Sequence, residues 1–396
     1  MKTNAILLAL LMIMLPLAGC ISDGTDGIQG PEGPEGPQGP EGLQGPPGMD
    51  GTDGNDGVNG LNGSDGVDGQ DGTNGSDGIN GKDGVDATRI VVNWSDRQFI
   101  DANLSNTSFQ DTEMIATIFY QSNLNNSDFS YSLSRGANYW NSTMENAIFY
   151  RSDIHNLFMT NTNADGVDFT GSSMRYSSIL NSEINNAQFV GIDFSFGGTW
   201  KTNATNSNFS YADLYGTTFR DSNLQNSSFY GAFLWGTHFD DVDLSNSDLR
   251  KVITRTADFR YSILRNVSWQ DSSIYGNTNF GGADLSYINF TNTTIYVSSE
   301  GGFRNVNLSY AVMVNAELTN SDFINSNFNN ANLTNAILTG VNLTYADFTG
   351  ANLSGAELTD VDLTDAEITN TDLTNVIWQN TICPDGTNSD SNGGFC

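Results

Sequence analysis

The sequence ANLSGAELTDVDLTDAEITNTDLT, residues 351–374, repeats with a period of five. A large apolar residue, which we call the centre, occupies every fifth position: Leu353, Leu358, Leu363, Ile368 and Leu373. The residue two positions before each centre is small, and the other three positions are mostly polar. Because a period of five fits neither a strand nor a straight helix, the pattern has to be interpreted as a structural repeat.

A workable geometry for the five-residue period is a solenoid with one side of a square per repeat. Each repeat would form one side, with its centre and its small residue pointing inward, so that about twenty residues close one coil and coils stack at the strand spacing of about 4.8 Å. Centres run in one register from Phe99 to Ile274, continue from Phe280 after a slip of one residue, and run again from Phe303 to Trp378. We therefore predict about 14 coils over residues 99–380, in a stack about 65 Å long.

Two further features follow from the positions of the centres. The repeat is interrupted at residues 276–279 and 297–302, and both interruptions are interpreted as bulges or loops. Phenylalanine occupies many centres that are ten residues apart, and leucine often occupies those between. Ten residues are half a coil, so phenylalanine is expected to line two opposite sides and leucine the other two.

This repeat resembles the pentapeptide-repeat family, whose A-(D/N)-L-x-x motif is matched by Ala331, Asn332 and Leu333. The resemblance covers roughly residues 97–380 and implies an all-β fold, a right-handed quadrilateral β-helix. Family functions are diverse, so the resemblance implies a fold far more than an activity. Relatives include acidic β-helices that mimic DNA and bind gyrase, so inhibition by polyanion mimicry is a minor alternative. That role needs a cytoplasmic dimer, which the export signal described next contradicts.

Residues 1–19 have the form of a lipoprotein signal peptide. A lysine precedes an apolar run that is too short for a stable transmembrane anchor. The sequence Leu-Ala-Gly-Cys that ends at Cys20 resembles a prokaryotic lipobox, which implies cleavage before Cys20 and attachment of membrane lipid to it. Residues 20–23 would then be a lipid-anchored N-terminus on the outside of a prokaryotic cell membrane. The alternative is an ordinary export signal with an incidental cysteine.

Residues 24–86 have glycine at every third position, as a collagen triple helix requires. This collagen-like segment predicts a homotrimeric stalk. From Gly48 onward proline is absent and the third residue of each triplet is always Asp or Asn, so three adjacent chains would repel one another. A flexible, self-repelling tether is therefore the alternative, and bound Ca²⁺ or Mg²⁺ would offset the repulsion in a trimer.

The two ends of the repeat region are predicted to be caps. Residues 87–98 are expected to form a first strand or a plug, carried by Ile90, Val91, Val92 and Trp94. Residues 381–396 leave the repeat, and Cys383 and Cys396 are expected to pair in an exported chain. The side chains of Asp385, Asn388, Asp390 and Asn392 faintly resemble a calcium loop, but the later glutamate is absent and a turn-rich cap is favoured over a metal site.

Composition and motifs limit the function classes. The chain has 46 acidic and 15 basic residues, a net charge of −31, which argues against nucleic acid as a partner and suits a basic or cationic one. The two histidines, His155 and His238, are far apart in the sequence, and no nucleophile motif or phosphate loop is present. We therefore expect no enzyme activity and no cofactor, with Ca²⁺ the one ion considered.

Outward residues that are twenty positions apart are expected to stack on one side of the β-helix. The residues just after the centres place aromatic rings and arginines on two adjoining sides, and these are the candidate binding residues: Tyr120, Trp140, Trp200, Tyr215, Arg220, Trp235, Arg255 and Tyr275. Exposed Trp, Tyr and Arg are typical of recognition surfaces, although an aromatic ladder that only stabilises the stack is the alternative.

These observations lead to a hypothesis of a non-enzymatic, surface-displayed structural or adhesive lipoprotein that contacts a polysaccharide or another cell-surface partner. A ligand- or cation-binding module on a flexible tether is the alternative.

Overall fold

The computed structural model describes residues 92–297 and 302–396. In those residues the chain is an all-β solenoid of about 14 turns, built from parallel strands. The predicted signal peptide (1–19), lipid-anchored N-terminus (20–23), stalk (24–86) and the first part of the junction lie outside the described residues. No helix in the described ranges is long and apolar enough to cross a bilayer.

Sixteen short strands are present in the described residues. They are β1 (Gln98–Ile100), β2 (Ile118–Tyr120), β3 (Asn138–Trp140), β4 (Phe158–Thr160), β5 (Ser178–Leu180), β6 (Gly198–Trp200), β7 (Thr218–Arg220), β8 (Phe233–Trp235), β9 (His238–Asp240), β10 (Ile253–Arg255), β11 (Ser273–Gly276), β12 (Thr294–Val297), β13 (Glu317–Thr319), β14 (Ile337–Thr339), β15 (Glu357–Thr359) and β16 (Ile377–Gln379).

The strands form two parallel sheets on adjoining sides of the coil. The first has the order β1-β2-β3-β4-β5-β6-β7-β9, and the second has the order β16-β15-β14-β13-β12-β11-β10-β8. Partners in the first sheet are twenty residues apart, as in the pair Phe99 and Phe119. The remaining sides are held by isolated parallel bridges at the same offset, such as Asn103 with Asn123. Each coil therefore contains four five-residue sides.

The two interruptions of the repeat fall beside β11 and β12. Ser273 pairs with Thr294, and Thr294 pairs with Glu317, so these coils have 21 and 23 residues instead of twenty. Both strands have four residues, whereas the other strands have three. The solenoid thus absorbs the extra residues next to one side of the stack and keeps its register elsewhere.

Phenylalanine centres stack along the axis on two opposite sides of the core, as predicted. Phe219 lies on Phe239 with ring centroids 5.0 Å apart, and Phe209 lies on Phe229 at the same distance. The two stacks meet edge to face, as between Phe219 and Phe229. Near the C-terminus the prediction is wrong, because Phe328 and Phe348 stack at 4.6 Å on a side assigned to leucine. Leucine occupies the sides that phenylalanine lines elsewhere, as at Leu333 and Leu343.

The residue two positions after a centre has a left-handed backbone, with φ of 58° at Asn126 and 54° at Asn146, except at Val297. Asparagine, aspartate and glycine tolerate this conformation better than other residues, which explains why they dominate the position. Several of these asparagines also bond along the axis, as when Asn161 Nδ2 donates to Asn141 Oδ1 at 3.1 Å. The five-residue pattern alone predicts only that this position is polar.

Buried hydroxyls tie neighbouring coils together. Many serine and threonine residues two positions before a centre donate to a main-chain carbonyl of the preceding coil. Ser152 Oγ donates to the Phe129 carbonyl at 2.7 Å, and Thr237 Oγ1 donates to the Leu214 carbonyl at 2.9 Å. At these positions the hydroxyl adds a hydrogen bond that a small apolar residue cannot make. Ser172 is an exception, because its buried hydroxyl has no hydrogen-bond partner among the described residues.

The two ends of the solenoid differ. At the N-terminal end, Asn93 bridges Glu113 in parallel, so the chain near Trp94 continues the coil and does not fold across it as a plug. At the C-terminal end, a disulfide joins Cys383 and Cys396, and a short 3₁₀ helix occupies Ser389–Asn392.

The oxygens considered for calcium in this C-terminal cap are used in its turns. Asp385 Oδ1 accepts from the Thr387 amide, Asn388 Oδ1 from the Asp390 amide, and Asp390 Oδ1 from the Asn380 amide. Asn392 Nδ2 donates to Thr387 Oγ1. These contacts are those of a turn-rich cap.

Candidate binding surface

Four neighbouring strands of the second sheet, β8, β10, β11 and β12, form a continuous outward-facing surface. In each strand the centre points into the core, so the residues on either side of it point outward. We call these outward residues the platform: Phe233, Trp235, Ile253, Arg255, Ser273, Tyr275, Thr294 and Tyr296. Arg255 lies in register between Trp235 and Tyr275, and Tyr275 lies beside Tyr296.

The platform is largely apolar and accessible. Ile253 is 48% exposed, Tyr275 39% and Tyr296 49%. Trp235 is half-buried, and its ring lies 4.7 Å from the ring of Phe233. Tyr275 and Tyr296 are therefore the most exposed rings of the platform. The Trp235 ring is partly covered, and its indole nitrogen is buried without a hydrogen-bond partner among the described residues.

Three more aromatic residues extend the platform toward the N-terminus. Tyr215 is 42% exposed and lies one coil below Trp235, because Asp213 bridges Phe233. Phe196 packs edge to face on Tyr215 at 5.1 Å and stacks on Tyr176 at 5.5 Å. We call the platform together with Tyr176, Phe196 and Tyr215 the aromatic face.

The pattern of residues just after the centres does not predict Phe196 and Tyr176 as part of this surface. They lie two positions after a centre, where most repeats have Asn, Asp or Gly, and an aromatic residue at that position was the available signal. Phe196 lies over Gly216, where an added Cβ would be 3.0 Å from the ring. A glycine in the next coil thus gives the ring room to lie flat along the side.

The platform carries no carboxylate, since its strands read FLW, ITR, SIYG and TIYV. Arg255 is its one charged side chain. Its guanidinium lies 5.3 Å from the centroid of the Trp235 ring, a distance suited to a cation–π contact. In the described ranges Arg255 makes no ion pair.

Arg255 belongs to a coil that has an arginine after each of its four centres. The other three are paired: Arg250 with Asp248 at 2.7 Å, Arg260 with Asp258 at 2.6 Å, and Arg265 with Asp284 at 2.5 Å. Burial alone would raise the pKa of Asp258, but the hydrogen bonds and charge of Arg260 outweigh it and hold that pKa below its ordinary value. These three arginines are therefore neutralised locally.

The other candidate residues lie on the adjoining side, in the first sheet, and form two separate pairs. Tyr120 lies beside Trp140 and Trp200 beside Arg220, but Thr160 and Leu180 stand between the pairs. The Trp200 indole donates to Asp221 at 2.8 Å, and Lys201 lies 5.0 Å over its ring. Four of the eight predicted residues thus lie on each side. Only the four on the side of the second sheet occupy successive coils without a gap.

One group of side chains has donors that suit a metal ion. In the part of the chain that the structure describes, ligand atoms of His238, Asp240 and Asp258 lie within 4.8 Å of one another. Arg260 contacts both oxygens of Asp258, which leaves His238 and Asp240 more available to a cation. Asp258 lies about one coil after His238 and Asp240 in the sequence, so spacing alone did not indicate the group.

His155 lies elsewhere and is engaged by its own repeat. Its Nδ1 lies 2.5 Å from Asp153 Oδ1, and Arg135 contacts the other oxygen of that carboxylate. Burial would raise the pKa of Asp153, but these two partners outweigh it and lower the pKa. The two histidines of the chain therefore do not form a common site.

Two protein families match the sequence. Pentapeptide repeats match in eight copies within residues 98–130, 187–226, 219–253, 303–340 and 342–377. The collagen triple helix repeat matches residues 22–87 in 20 copies, a range close to the Gly-X-Y segment identified above. A comparison with curated proteins finds no match.

Several solved structures are similar to the chain. HetL, a pentapeptide repeat protein involved in heterocyst differentiation regulation from the cyanobacterium Nostoc sp. strain PCC 7120, is 22% identical with a TM-score of 0.27, over 60% of this chain and 91% of HetL. QnrB1, a plasmid-mediated fluoroquinolone resistance protein, is 19% identical with a TM-score of 0.22, over 56% of this chain and 91% of QnrB1. A pentapeptide repeat protein from the Arabidopsis thaliana thylakoid lumen is 27% identical with a TM-score of 0.15, over 27% of this chain and 67% of its own.

Proposed function

This chain belongs to the pentapeptide-repeat family, and on that premise we propose that it is a non-enzymatic, surface-displayed adhesive lipoprotein whose β-helix contacts an extended polysaccharide. Lipid on Cys20 holds the chain to the outside of a prokaryotic membrane, and the Gly-X-Y segment projects the β-helix as a trimeric stalk. The signal-peptide form of residues 1–19 and the collagen repeat over residues 22–87 support this arrangement.

The observation that carries the proposal is the aromatic face. It presents exposed rings from Tyr176 to Tyr296 on one side of a rigid stack, over about 29 Å at the strand spacing. Flat rings pack well against the C–H faces of sugars, and a regular row of them suits a polymer with a repeating unit. Such a surface needs little ordering on binding, because the sheet already holds the rings in place.

The competing explanation is that these rings only stabilise the stacking of coils. Two variants separate the explanations: Trp235→Ser with Tyr275→Ser on the platform, and Trp140→Ser on the adjoining side as the matched control. Each removes aromatic area just after a centre of a strand, but only the first alters the aromatic face.

The assay is binding of the full chain, purified in detergent, to a panel of cell-wall polysaccharides, together with urea unfolding of each variant. We expect the platform variant to bind at least about tenfold more weakly, equivalent to about 1.4 kcal/mol, with an unchanged unfolding midpoint and an unaffected control. If binding is unchanged, whether or not the platform variant loses stability, the rings only stabilise the stacking of coils.

A further inference from the structure

The arginines of the described residues take their carboxylate partners from two positions. One is the residue two positions earlier in the same repeat, as in the pair Arg260 and Asp258. The other is the residue just before the centre in the next coil, as in the pairs Arg265 with Asp284 and Arg304 with Asp322. The repeat geometry thus restricts which side chains can neutralise an outward arginine.

At Arg255 both of these positions lack a carboxylate. Ile253 occupies the earlier position in the same repeat, and Ser273 occupies the position in the next coil. Neither can accept a salt bridge, and the guanidinium rests over Trp235 instead. Arg255 therefore keeps its charge and its N–H donors available in a chain whose net charge is −31.

The surroundings of Arg255 also indicate that its guanidinium is available to a ligand. Trp235 and Tyr275 flank it on the two neighbouring strands, and no carboxylate lies on β8, β10, β11 or β12. A guanidinium that is packed on a ring is oriented before a ligand arrives and presents a planar fork that fits carboxylate or sulfate oxygens. The platform thus combines ring faces for sugars with one cation for an acidic group.

We infer that the polymer bound by the platform is an acidic polysaccharide, whose carboxylate or sulfate group binds Arg255 while neighbouring sugars stack on Trp235 and Tyr275. This inference rests on the proposed function, because it names the class of polymer that the same surface takes. The acidic remainder of the β-helix repels such a polymer, so binding is confined to the platform.

The test compares each acidic polymer with a neutral counterpart. Binding of the full chain is measured for polygalacturonate and its carboxyl-reduced form, and for dextran sulfate and dextran. We expect at least one acidic polymer to bind about tenfold more tightly than its counterpart, equivalent to about 1.4 kcal/mol. The pair that shows the preference identifies the acidic group. Arg255→Gln removes the preference, Arg255→Lys keeps part of it, and Arg260→Gln, which alters a neutralised arginine, leaves it intact.

The outcomes separate the inference from the proposed function. Suppose that acidic and neutral polymers bind equally and Arg255→Gln has no effect, while Trp235→Ser still weakens binding. The inference of an acidic ligand is then wrong, but the proposal that the platform binds a polymer is supported. If no polymer binds and Trp235→Ser changes nothing, the proposed function fails as well. Equal losses in Arg255→Gln and Arg260→Gln would indicate general electrostatics and would overturn the role of Arg255.

Discussion

Tyr139 lies in the core of the β-helix with an unsatisfied hydroxyl. Its ring is fully buried and stacks on Phe119 at 5.0 Å, while the rings of Phe129 and Phe149 meet it edge to face at 6.3 and 6.0 Å. Its hydroxyl has no hydrogen-bond partner among the described residues. Burial raises the pKa of Tyr139 well above its ordinary value, so the group stays neutral throughout the working pH range.

Replacing Tyr139 by phenylalanine should stabilise the β-helix. The substitution keeps the stacked ring and removes a buried polar group whose lost hydration costs about 1–3 kcal/mol. We therefore predict that Tyr139→Phe raises the local free energy of unfolding by about 1–3 kcal/mol. Phe119→Tyr, one coil away on the same side of the core, should lower it by a similar amount.

The assay follows from the repeat architecture. Because solenoids do not always unfold in one step, urea unfolding of the full chain is combined with hydrogen exchange of amides in the coil that contains Tyr139. Slower exchange in Tyr139→Phe and faster exchange in Phe119→Tyr are expected. Equal or reduced stability of Tyr139→Phe would refute the reasoning and would show that the hydroxyl is bonded, for example to water within the core.

Three further predictions concern local interactions, each measured by the unfolding free energy of the full chain in urea. Thr237→Val removes the bond to the Leu214 carbonyl and should cost about 1 kcal/mol, whereas Thr237→Ser should not; equal stability of the two variants would contradict this. Thr256 has a left-handed backbone with φ of 57°, which asparagine tolerates better than threonine. Thr256→Asn should therefore raise the unfolding free energy by about 1 kcal/mol, and a lower unfolding free energy would argue against backbone strain at Thr256. Asp258→Asn removes the partner of Arg260 and should cost about 1 kcal/mol at neutral pH. Because the folded pKa of Asp258 is below its ordinary 3.8, this contribution is present above that value and lost as pH falls through the folded pKa; a cost that persists in strong acid would contradict the pairing.

The fold could be predicted because the five-residue repeat indicates which side chains point into the core of the β-helix. An apolar residue occupies most fifth positions between Phe99 and Trp378, with register breaks only after Ile274 and Ile295, so the inward residue of each repeat could be predicted. The pairing of Phe99 with Phe119 confirms that four repeats close one coil. The positions of phenylalanine were predicted correctly where it recurs every ten residues, as at Phe209 and Phe219. They were wrong for Phe328 and Phe348, because core volume can be shared differently among the sides of one layer.

The continuity of the candidate surface could not be predicted in the same way. The repeat places Trp235, Arg255 and Tyr275 on one side, but it does not reveal that the extended strands change sides at β8 and β9. It also does not reveal that Arg255 lacks an ion pair, because that depends on which of two spatial neighbours is acidic. The left-handed positions and the hydroxyl bonds between coils were missed because both depend on backbone geometry and not on the polarity pattern.

The most direct test of the central claim is adhesion of intact cells. Cells that express the full chain, Cys20→Ser, Trp235→Ser or Trp140→Ser are mixed with polysaccharide-coated beads, and the number of beads retained per cell is counted at equal expression. We predict retention by cells with the unaltered chain and the Trp140→Ser control, and loss with Cys20→Ser, which releases the chain, and with Trp235→Ser, which alters the platform. Full retention by Trp235→Ser cells would contradict the account, because the aromatic face would then not be the surface that binds.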